Sequence, residues 1–407
     1  MKARDDAVWI TGVGLATPLG LDFHELAENL LAGRSGVRAV THMDTTEQPC
    51  KIAAALGPVP APGGWNTAEF ETLGPFEQVL TWCGVNALRD AGLWERRSAL
   101  RIGLVMGVGA EWVRVWEEGL HKGTDRINDP TNDHTGLTTF TRRILGLSGP
   151  SATVAAACAS GNVALAQARR WVTRGWVDVC LAGGYDRPLS PFGMGGFGNL
   201  GTLTKRFDPP ETASRPFDRG RDGFVMGEGG AIFVVESATL ARRRGARVYG
   251  EIAGVGATSD AYHMVIPSPD MGPCIRAMKA ALDDGGVDPV ELSYVNAHAP
   301  STPVGDAFEA RALRTLLGDS ARFVPVSSTK SMTGHMLGAA AAVEALACLA
   351  AFARQAIPPT INLDDPDPEC DLCHVPNEAR ASKVDTALSN SFGFGGSNVC
   401  VLFKRVA

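Results

Sequence analysis

Residues Thr153–Gly161 read TVAAACASG and are followed, at Val163–Arg170, by VALAQARR. The run of small residues predicts a strand, and the alanine-rich stretch after it has high intrinsic helix propensity. This order predicts a strand-to-helix turn with Cys158 at its tip. A cysteine at the positive end of a helix dipole is expected to have a lowered pKa and to react as a thiolate; the alternative interpretation is an inert, buried cysteine.

Outward from this turn, short apolar segments alternate with helix-length stretches along the whole chain. The stretch Phe76–Ala91 is a predicted helix because apolar residues, among them Phe76, Cys83 and Ala87, recur at helical spacing. Alternation of this kind is typical of α/β layers with buried sheets. The predicted strands are Val8–Val13, Ile102–Val108, Ala152–Ala157, Val177–Ala182, Ala231–Val235, Val248–Val255, Leu292–Val295, Phe323–Ser327, Leu388–Asn390 and Val399–Phe403.

The pattern of strands restarts after the basic run LARRRGAR at Leu240–Arg247. Each half opens with a strand that carries two glycines at alternate positions, Gly12 and Gly14 in the first and Gly254 and Gly256 in the second. The repetition indicates an internal duplication. We therefore predict two similar halves, residues 1–245 and residues 246–407, which is also the division expected for a chain that exceeds one ordinary domain.

Composition limits the classes of partner. The chain has 407 residues, a net charge of −6 and 45% hydrophobic residues, so an extended phosphate-binding surface and a nucleic-acid partner are not expected. No apolar run reaches about 20 residues, the length that spans a bilayer, and we expect no signal peptide. Nine scattered cysteines suit a reducing compartment better than a disulfide framework, and the predicted location is the cytoplasm.

Two further stretches carry groups that complement a cysteine nucleophile. The first is YVNAHAPSTPVGD at Tyr294–Asp306, in which a strand delivers His298 into a turn before a helix. The second is SSTKSMTGHMLGAAAAVE at Ser327–Glu344, in which Lys330 and His335 precede a helix of small residues. Either histidine alone is more often structural than catalytic. A thiolate, two neutral imidazoles and a lysine together form a set of groups suited to acyl transfer.

This combination resembles the β-ketoacyl-acyl-carrier-protein synthases, and most closely the type II bacterial elongating enzymes of fatty acid and polyketide synthesis. The resemblance covers essentially the whole chain and implies a thiolase-like α/β fold, in which two similar halves form a five-layered αβαβα arrangement that is normally dimeric. Further matching stretches are DRGRDGFVMGEGG at 218–230, SDAYHM at 259–264, PPTINLDDPDPECDL at 358–372 and ALSNSFGFGGSN at 387–398.

The resemblance implies a role for each residue of the proposed site. Cys158 matches the nucleophile that accepts the acyl group, and the two histidines match the pair that binds the malonyl thioester carbonyl and promotes loss of carbon dioxide. The lysine, paired with a glutamate, orders the site electrostatically. Phe394 matches a gating residue whose amide joins that of Cys158 in an oxyanion hole. The implied catalytic residues are Cys158, His298, His335, Lys330 and Phe394, with Glu344 in a supporting role.

The implied reaction is decarboxylative condensation of a Cys158-bound acyl group with a malonyl group. Both groups would be delivered on the phosphopantetheine arm of an acyl carrier protein, and no metal or redox cofactor is expected. The chain is expected to act as a homodimer or as a heterodimer with a subunit like a chain-length factor. Two alternatives stay open: a non-condensing partner subunit of that kind, and a thiolase-type acyltransferase.

Some positions depart from the family and bear on substrate. The usual HGTST is HAPST here, so Pro300 offers neither a hydroxyl nor an N–H to the carrier arm. The segment Gly107–Trp112 reads GVGAEW, and the partner-facing loop Asn128–Thr135 is polar. No Lys or Arg occurs between Lys51 and Arg89, where fatty-acid relatives are basic. These departures favour a specialised type II polyketide or fatty-acid-like pathway. The predicted substrate-binding residues are Ala110, Phe197, Arg206 and Thr302.

Overall fold

The structure is a computed structural model and describes residues 7–109, 111–123 and 136–406. Ala110 and the loop Asn128–Thr135 therefore lie outside the described residues. The strands in the described part of the chain are β1 Val8–Ala16, β2 Arg38–Ala39, β3 Ile52–Ala53, β4 Ile102–Val108, β5 Ser151–Ala155, β6 Val179–Asp186, β7 Gly229–Ser237, β8 Gly250–Ser259, β9 Tyr294–Asn296, β10 Pro325–Ser327, β11 Ala356–Ile357, β12 Cys373–His374, β13 Arg380–Ala381, β14 Thr386–Gly393 and β15 Ser397–Lys404.

Helices follow or precede most of these strands. The α-helices among the described residues are α1 Phe23–Leu31, α2 Thr67–Glu71, α3 Pro75–Asp90, α4 Glu111–His121, α5 Gly136–Ile144, α6 Ser160–Thr173, α7 Pro191–Asn199, α8 Ala238–Arg243, α9 Gly272–Gly285, α10 Pro303–Leu317, α11 Lys330–Thr333 and α12 Ala340–Arg354. All ten strands predicted from the sequence are present, and α3 coincides with the predicted helix Phe76–Ala91.

The main sheet contains the same five-stranded arrangement twice. Its strand order is β12-β10-β9-β14-β15-β8-β1-β7-β6-β4-β5. In the first half the order β5-β4-β6-β7-β1 begins with parallel pairs and ends with two antiparallel pairs. In the second half β10-β9-β14-β15-β8 repeats the same directions. The repeated topology supports the duplication that the glycine pairs indicated, while the boundary after residue 245 stays a prediction.

The helices pack against both faces of this sheet and form layers with it. α6 and α12 contact strands of both halves, α6 through β6 and β15 and α12 through β7 and β14, so they form a central helical layer. α3 covers the other face of β1 and β7, and α9 covers the other face of β8 and β15. The two halves of the sheet meet only at an edge, where β1 and β8 pair through Trp9 and Ile10. The expected five-layered αβαβα arrangement is confirmed.

The glycine pairs explain how the outer helices approach the sheet. An ideal Cβ on Gly14 would lie 1.9 Å from the carbonyl oxygen of Cys83 on α3. In the second half, a Cβ on Gly256 would lie 1.9 Å from the carbonyl oxygen of Ala277 on α9. Both distances are far below van der Waals contact with backbone, which cannot move aside cheaply. Glycine is therefore required wherever each outer helix crosses the first strand of its half.

We expect Gly14→Ala to destabilise the fold because its new methyl group would push α3 away from β1. Overpacking of this kind costs about 1–3 kcal/mol in the free energy of unfolding, which urea denaturation measures. Gly57→Ala is the matched control, since a Cβ there meets nothing within 4 Å and should change stability by less than about 0.5 kcal/mol. Equal stabilities of the two variants would contradict the packing argument.

The helix α12 is strongly apolar, and all but two of its residues are buried. The segment Leu337–Arg354 is long and apolar enough to cross a membrane, but 89% of it is buried inside the protein. Its residues pack against strands of both halves in the central layer. The apolar composition of this helix is therefore explained by its place in the core.

Candidate active site

Cys158 lies where the sequence predicted it, at the turn between β5 and α6. The turn is a short 3-10 helix, Ala157–Ala159, and Ala157 has a left-handed backbone with φ 49°. The Ser160 hydroxyl accepts a hydrogen bond from the Ala156 N–H at 2.9 Å and lies 2.8 Å from the carbonyl oxygen of Val108 on β4. These contacts hold the turn against the sheet. The thiol is 5% exposed and borders an open cavity.

Both predicted histidines face this thiol. The His335 Nε2 atom lies 3.1 Å from the Cys158 Sγ, and the rings of His298 and His335 meet edge to face with centroids 5.4 Å apart. One donor atom from each of the three side chains lies within 4.8 Å of the others. Three segments that are far apart in the chain therefore converge on one point.

Lys330 fixes the orientation of His298. Its Nζ donates to the His298 carbonyl oxygen at 2.6 Å, lies 3.4 Å from the His298 Nδ1, and forms a buried ion pair with Glu344. An ammonium group can only donate, so Nδ1 must be the acceptor and the ring proton must be on Nε2. His298 is thereby held as an Nε2–H donor. The predicted pairing of Lys330 with Glu344 is present in the structure.

Both imidazoles are neutral in this environment. Burial, together with the Lys330 ammonium, lowers the pKa of each ring well below its ordinary value, and His335 lowers that of His298 further. A neutral imidazole donates a hydrogen bond without carrying a charge of its own. The pair can therefore stabilise a negative oxygen that develops next to it.

The pKa of Cys158 corrects the prediction made from its helix position. Burial raises the pKa of this thiol to about 11, although the Lys330 ammonium and the backbone N–H of Phe394 oppose the rise. Loss of water therefore outweighs the favourable groups around the sulfur, and the resting residue is a thiol rather than a thiolate. Its proton has an acceptor at hydrogen-bond distance in the His335 Nε2.

The raised pKa predicts how alkylation of Cys158 depends on pH. Iodoacetamide reacts with the thiolate, and the thiolate fraction of a group with a pKa near 11 rises about tenfold per pH unit between pH 7 and pH 9. The rate of adduct formation at Cys158, followed by peptide mass spectrometry, should rise accordingly. Cys158→Ala gives the background from the other cysteines. A rate that reaches its plateau at or below pH 7 would show that the thiolate is the resting form.

Phe394 reaches Cys158 through its backbone. It begins a tight turn after β14 in which Gly395 and Gly396 have φ values of 79° and 78°, conformations that favour glycine. The Phe394 N–H donates to the Cys158 sulfur, and the N–H of Cys158 points to the same atom. Both N–H groups therefore lie beside the sulfur, next to where the carbonyl oxygen of an acyl group bound to it would be.

Sequence reasoning missed the group that holds the His298 loop. Glu309 on α10 accepts hydrogen bonds from the N–H groups of His298 and Ala299 at 3.0 and 2.7 Å, and from the Asn390 side chain at 3.0 Å. Asp306 does the same for the next turn, where it accepts from Ser301 and Thr302. The available signal was a pair of acidic residues on an otherwise apolar helix face; these two carboxylates are fully buried.

The cavity in front of Cys158 has a volume of about 440 Å³. Thr302 lines it, as predicted, and its hydroxyl caps α10 by accepting from the Gly305 N–H at 3.2 Å. Phe197 is not among the described lining residues. It packs instead edge to face against Phe224, which does line the cavity, with ring centroids 5.8 Å apart. Arg206 is exposed outside the cavity and donates to the Gly220 carbonyl oxygen at 3.4 Å.

The cluster of one sulfur and two imidazole nitrogens is also a donor set that zinc can use. Here, however, the Lys330 ammonium is 3.4 Å from the His298 Nδ1, and a fixed cation beside the cluster opposes a metal dication. The neutral rings, the thiol and the converging N–H groups are better matched to acyl transfer.

Family models match most of the chain. The model of the β-ketoacyl synthase N-terminal domain matches residues 5–241, and that of the C-terminal domain matches residues 249–364. A 3-oxoacyl-[acyl-carrier-protein] synthase 2 from Synechocystis sp. is 40% identical over 409 residues, which cover 98% of this chain and 98% of that protein.

Solved structures agree with this similarity. A type II polyketide synthase acyl-carrier protein in complex with its ketosynthase bound to the hexaketide superposes with a TM-score of 0.89 at 30% identity, and the match covers all of both chains. The ishigamide ketosynthase/chain length factor superposes with a TM-score of 0.88 at 31% identity, covering 99% of this chain and 100% of that one.

Proposed function

The chain belongs to the β-ketoacyl synthase family, and we propose that it condenses a Cys158-bound acyl group with a malonyl group carried on an acyl carrier protein. It is a condensing enzyme of the acyltransferase class rather than a non-condensing subunit or a thiolase-type acyltransferase. The observation that carries the proposal is the geometry at the end of the cavity. There the Cys158 Sγ lies 3.1 Å from the Nε2 of His335, beside an oriented His298.

The first half-reaction transfers the acyl group to the enzyme. His335 Nε2 accepts the thiol proton, and the thiolate attacks the carbonyl carbon of the carrier thioester. The N–H groups of Phe394 and Cys158 stabilise the resulting oxyanion. The carrier thiolate then leaves and takes the proton back from His335, so the enzyme returns to neutral as an acyl-Cys158 thioester.

The second half-reaction forms the carbon–carbon bond. The malonyl thioester oxygen accepts hydrogen bonds from the Nε2–H groups of both histidines, and the enolate that forms on loss of carbon dioxide is stabilised there. Its carbon attacks the acyl-Cys158 carbonyl, and the Cys158 thiolate leaves and takes up one proton from water, which restores the resting thiol. The product departs as a β-ketoacyl thioester on the carrier. His335 accepts at Nε2 in the first step and donates there in the second, so its ring proton must move from Nδ1 to Nε2 between the two steps. The Nδ1 atom has no hydrogen-bond partner among the described residues that would hold the proton in place.

Family membership also supports proposals for the carrier and the assembly. One structural relative is a ketosynthase in complex with its acyl-carrier protein, and another is a ketosynthase/chain length factor. For this chain we favour a homodimer slightly over a heterodimer with a subunit of that kind. Thr302, whose hydroxyl oxygen accepts from the Gly305 N–H and whose hydroxyl proton has no acceptor among the described residues, is the proposed contact for the phosphopantetheine arm. The cytoplasm is the proposed location, since the described cysteines are free thiols.

Reconstitution with a type II acyl carrier protein tests this function. The purified chain, given one carrier loaded with an acyl group and a second loaded with a malonyl group, should release carbon dioxide and form a carrier-bound β-ketoacyl group that mass spectrometry detects. Activity that appears only after a second subunit is added would replace the homodimer by the heterodimer. Acyl exchange without carbon–carbon bond formation, in the presence of either partner, would contradict the proposal.

A further inference from the structure

The mouth of the cavity is surrounded by exposed apolar side chains. Leu200, Ile266 and Val304 line the cavity and are 51%, 51% and 61% exposed. Met264 is 75% exposed, precedes the lining residue Val265, and accepts a hydrogen bond through its carbonyl oxygen from the Gly395 N–H at 2.8 Å. We call Leu200, Met264, Ile266 and Val304 the apolar collar. Large side chains left in water around an entrance indicate a contact surface.

The charges at this entrance do not suit an acidic partner held by ion pairs. Among the described residues that line the cavity there is no Lys or Arg, and the acidic ones are Asp222 and Asp260. Asp260 accepts from the Asn398 side chain at 2.7 Å and from the Ser268 N–H at 3.0 Å. Asp222 accepts from the Thr204 hydroxyl at 2.5 Å. Both carboxylates therefore hold the walls of the cavity, and the described lining carries no positive charge.

We propose that the apolar collar is the main docking surface for the acyl carrier protein, which this chain recognises through an apolar face of the carrier rather than through ion pairs. The proposal rests on the proposed function, because only a protein-bound thioester needs a surface outside the cavity. The cavity of about 440 Å³ ends at Cys158 and admits an arm but not a folded domain. The carrier must therefore lie across the mouth, where the collar is.

Basic residues beside the apolar collar offer an alternative way for the carrier to dock. Lys205 and Arg206 are exposed just after the loop that carries Leu200, and could hold an acidic carrier by charge. The two modes differ in their response to salt, since attraction between exposed charges is screened over about 10 Å at 0.1 M salt, whereas apolar contact is not weakened. Salt dependence and substitution together separate them.

The test compares a carrier-bound substrate with a small one. In Met264→Glu we expect KM for the acyl carrier protein to rise about tenfold or more, with kcat unchanged, because a charge within an apolar contact must lose its water. The acyl-N-acetylcysteamine thioester, which has no carrier domain, should be used with unchanged KM. Phe323→Glu is the matched control, since Phe323 is 77% exposed but does not line the cavity.

Two results would overturn the inference. One is an unchanged KM for the carrier in Met264→Glu. The other is a rise in KM for the carrier of more than about tenfold between 0.05 and 0.5 M salt, together with a rise of the same size when Arg206 is replaced in Arg206→Ala. That result would assign docking to charge. If the wild-type enzyme condenses neither the carrier-bound nor the small thioester, the proposed function fails instead, so the two failures are distinguishable.

Discussion

Cys158→Ala is expected to abolish formation of the acyl-enzyme and, with it, the condensation reaction. The Sγ is the atom at which the His335 Nε2 and the Phe394 N–H converge, and no other described cysteine lies among the residues that line the cavity. Intact-protein mass spectrometry after incubation with an acyl-loaded carrier should show no adduct. The fold should be unchanged, because alanine fills most of the space of a thiol at a turn already made of alanines.

The same variant should keep part of the second half-reaction. Both histidines and Lys330 remain in place, so malonyl groups should still lose carbon dioxide, to give an acetyl group on the carrier. Cys373→Ala is the control, since Cys373 is partly exposed, unlike the other described cysteines, and does not line the cavity. If Cys158→Ala formed as much acyl adduct as the wild-type enzyme, the nucleophile would have to be another residue.

Much of the fold was predictable because its signals are local. Most of the predicted strands are apolar runs with β-branched residues, and such runs are buried on both faces in a layered α/β fold. The edge strand β5 is only partly buried. The glycine pairs at Gly12 and Gly14 and at Gly254 and Gly256 were readable for the same reason: a strand that meets a helix backbone directly must lack a Cβ. Boundaries were less accurate, since β6 ends at Asp186 and β14 extends from Thr386 to Gly393, beyond the apolar residues.

The electrostatics of the site were less predictable because burial is a property of the whole fold. From its helix position alone, the Cys158 thiol was expected to have a lowered pKa, but loss of water raises this pKa to about 11. The role of Glu309 depends on contacts with the His298 loop and with Asn390, which comes from the last part of the chain. Motifs identified which residues carry the chemistry. They could not give the hydrogen bonds that orient those residues.

The two histidines are expected to differ in the half-reactions that they affect. His298 is held as a donor by Lys330 and makes no contact with the thiol as short as that of His335. His298→Ala should therefore slow condensation and malonyl decarboxylation by about 100- to 1000-fold, the usual cost of losing one oxyanion donor, and should slow acylation of Cys158 much less. His335→Ala should slow both half-reactions, because its Nε2 also accepts the thiol proton.

Separate assays measure these effects: mass spectrometry for the rate of acyl-enzyme formation, and release of carbon dioxide from malonyl-loaded carrier for the second half-reaction. His298→Gln should recover part of the lost decarboxylation, since its amide nitrogen can still donate to the enolate oxygen, whereas alanine cannot. His24→Ala is the control, since its side chain is 69% exposed and pairs with Glu28 on α1. Equal loss of both half-reactions in His298→Ala, with no recovery in His298→Gln, would mean that His298 maintains the structure of the site instead of stabilising the enolate.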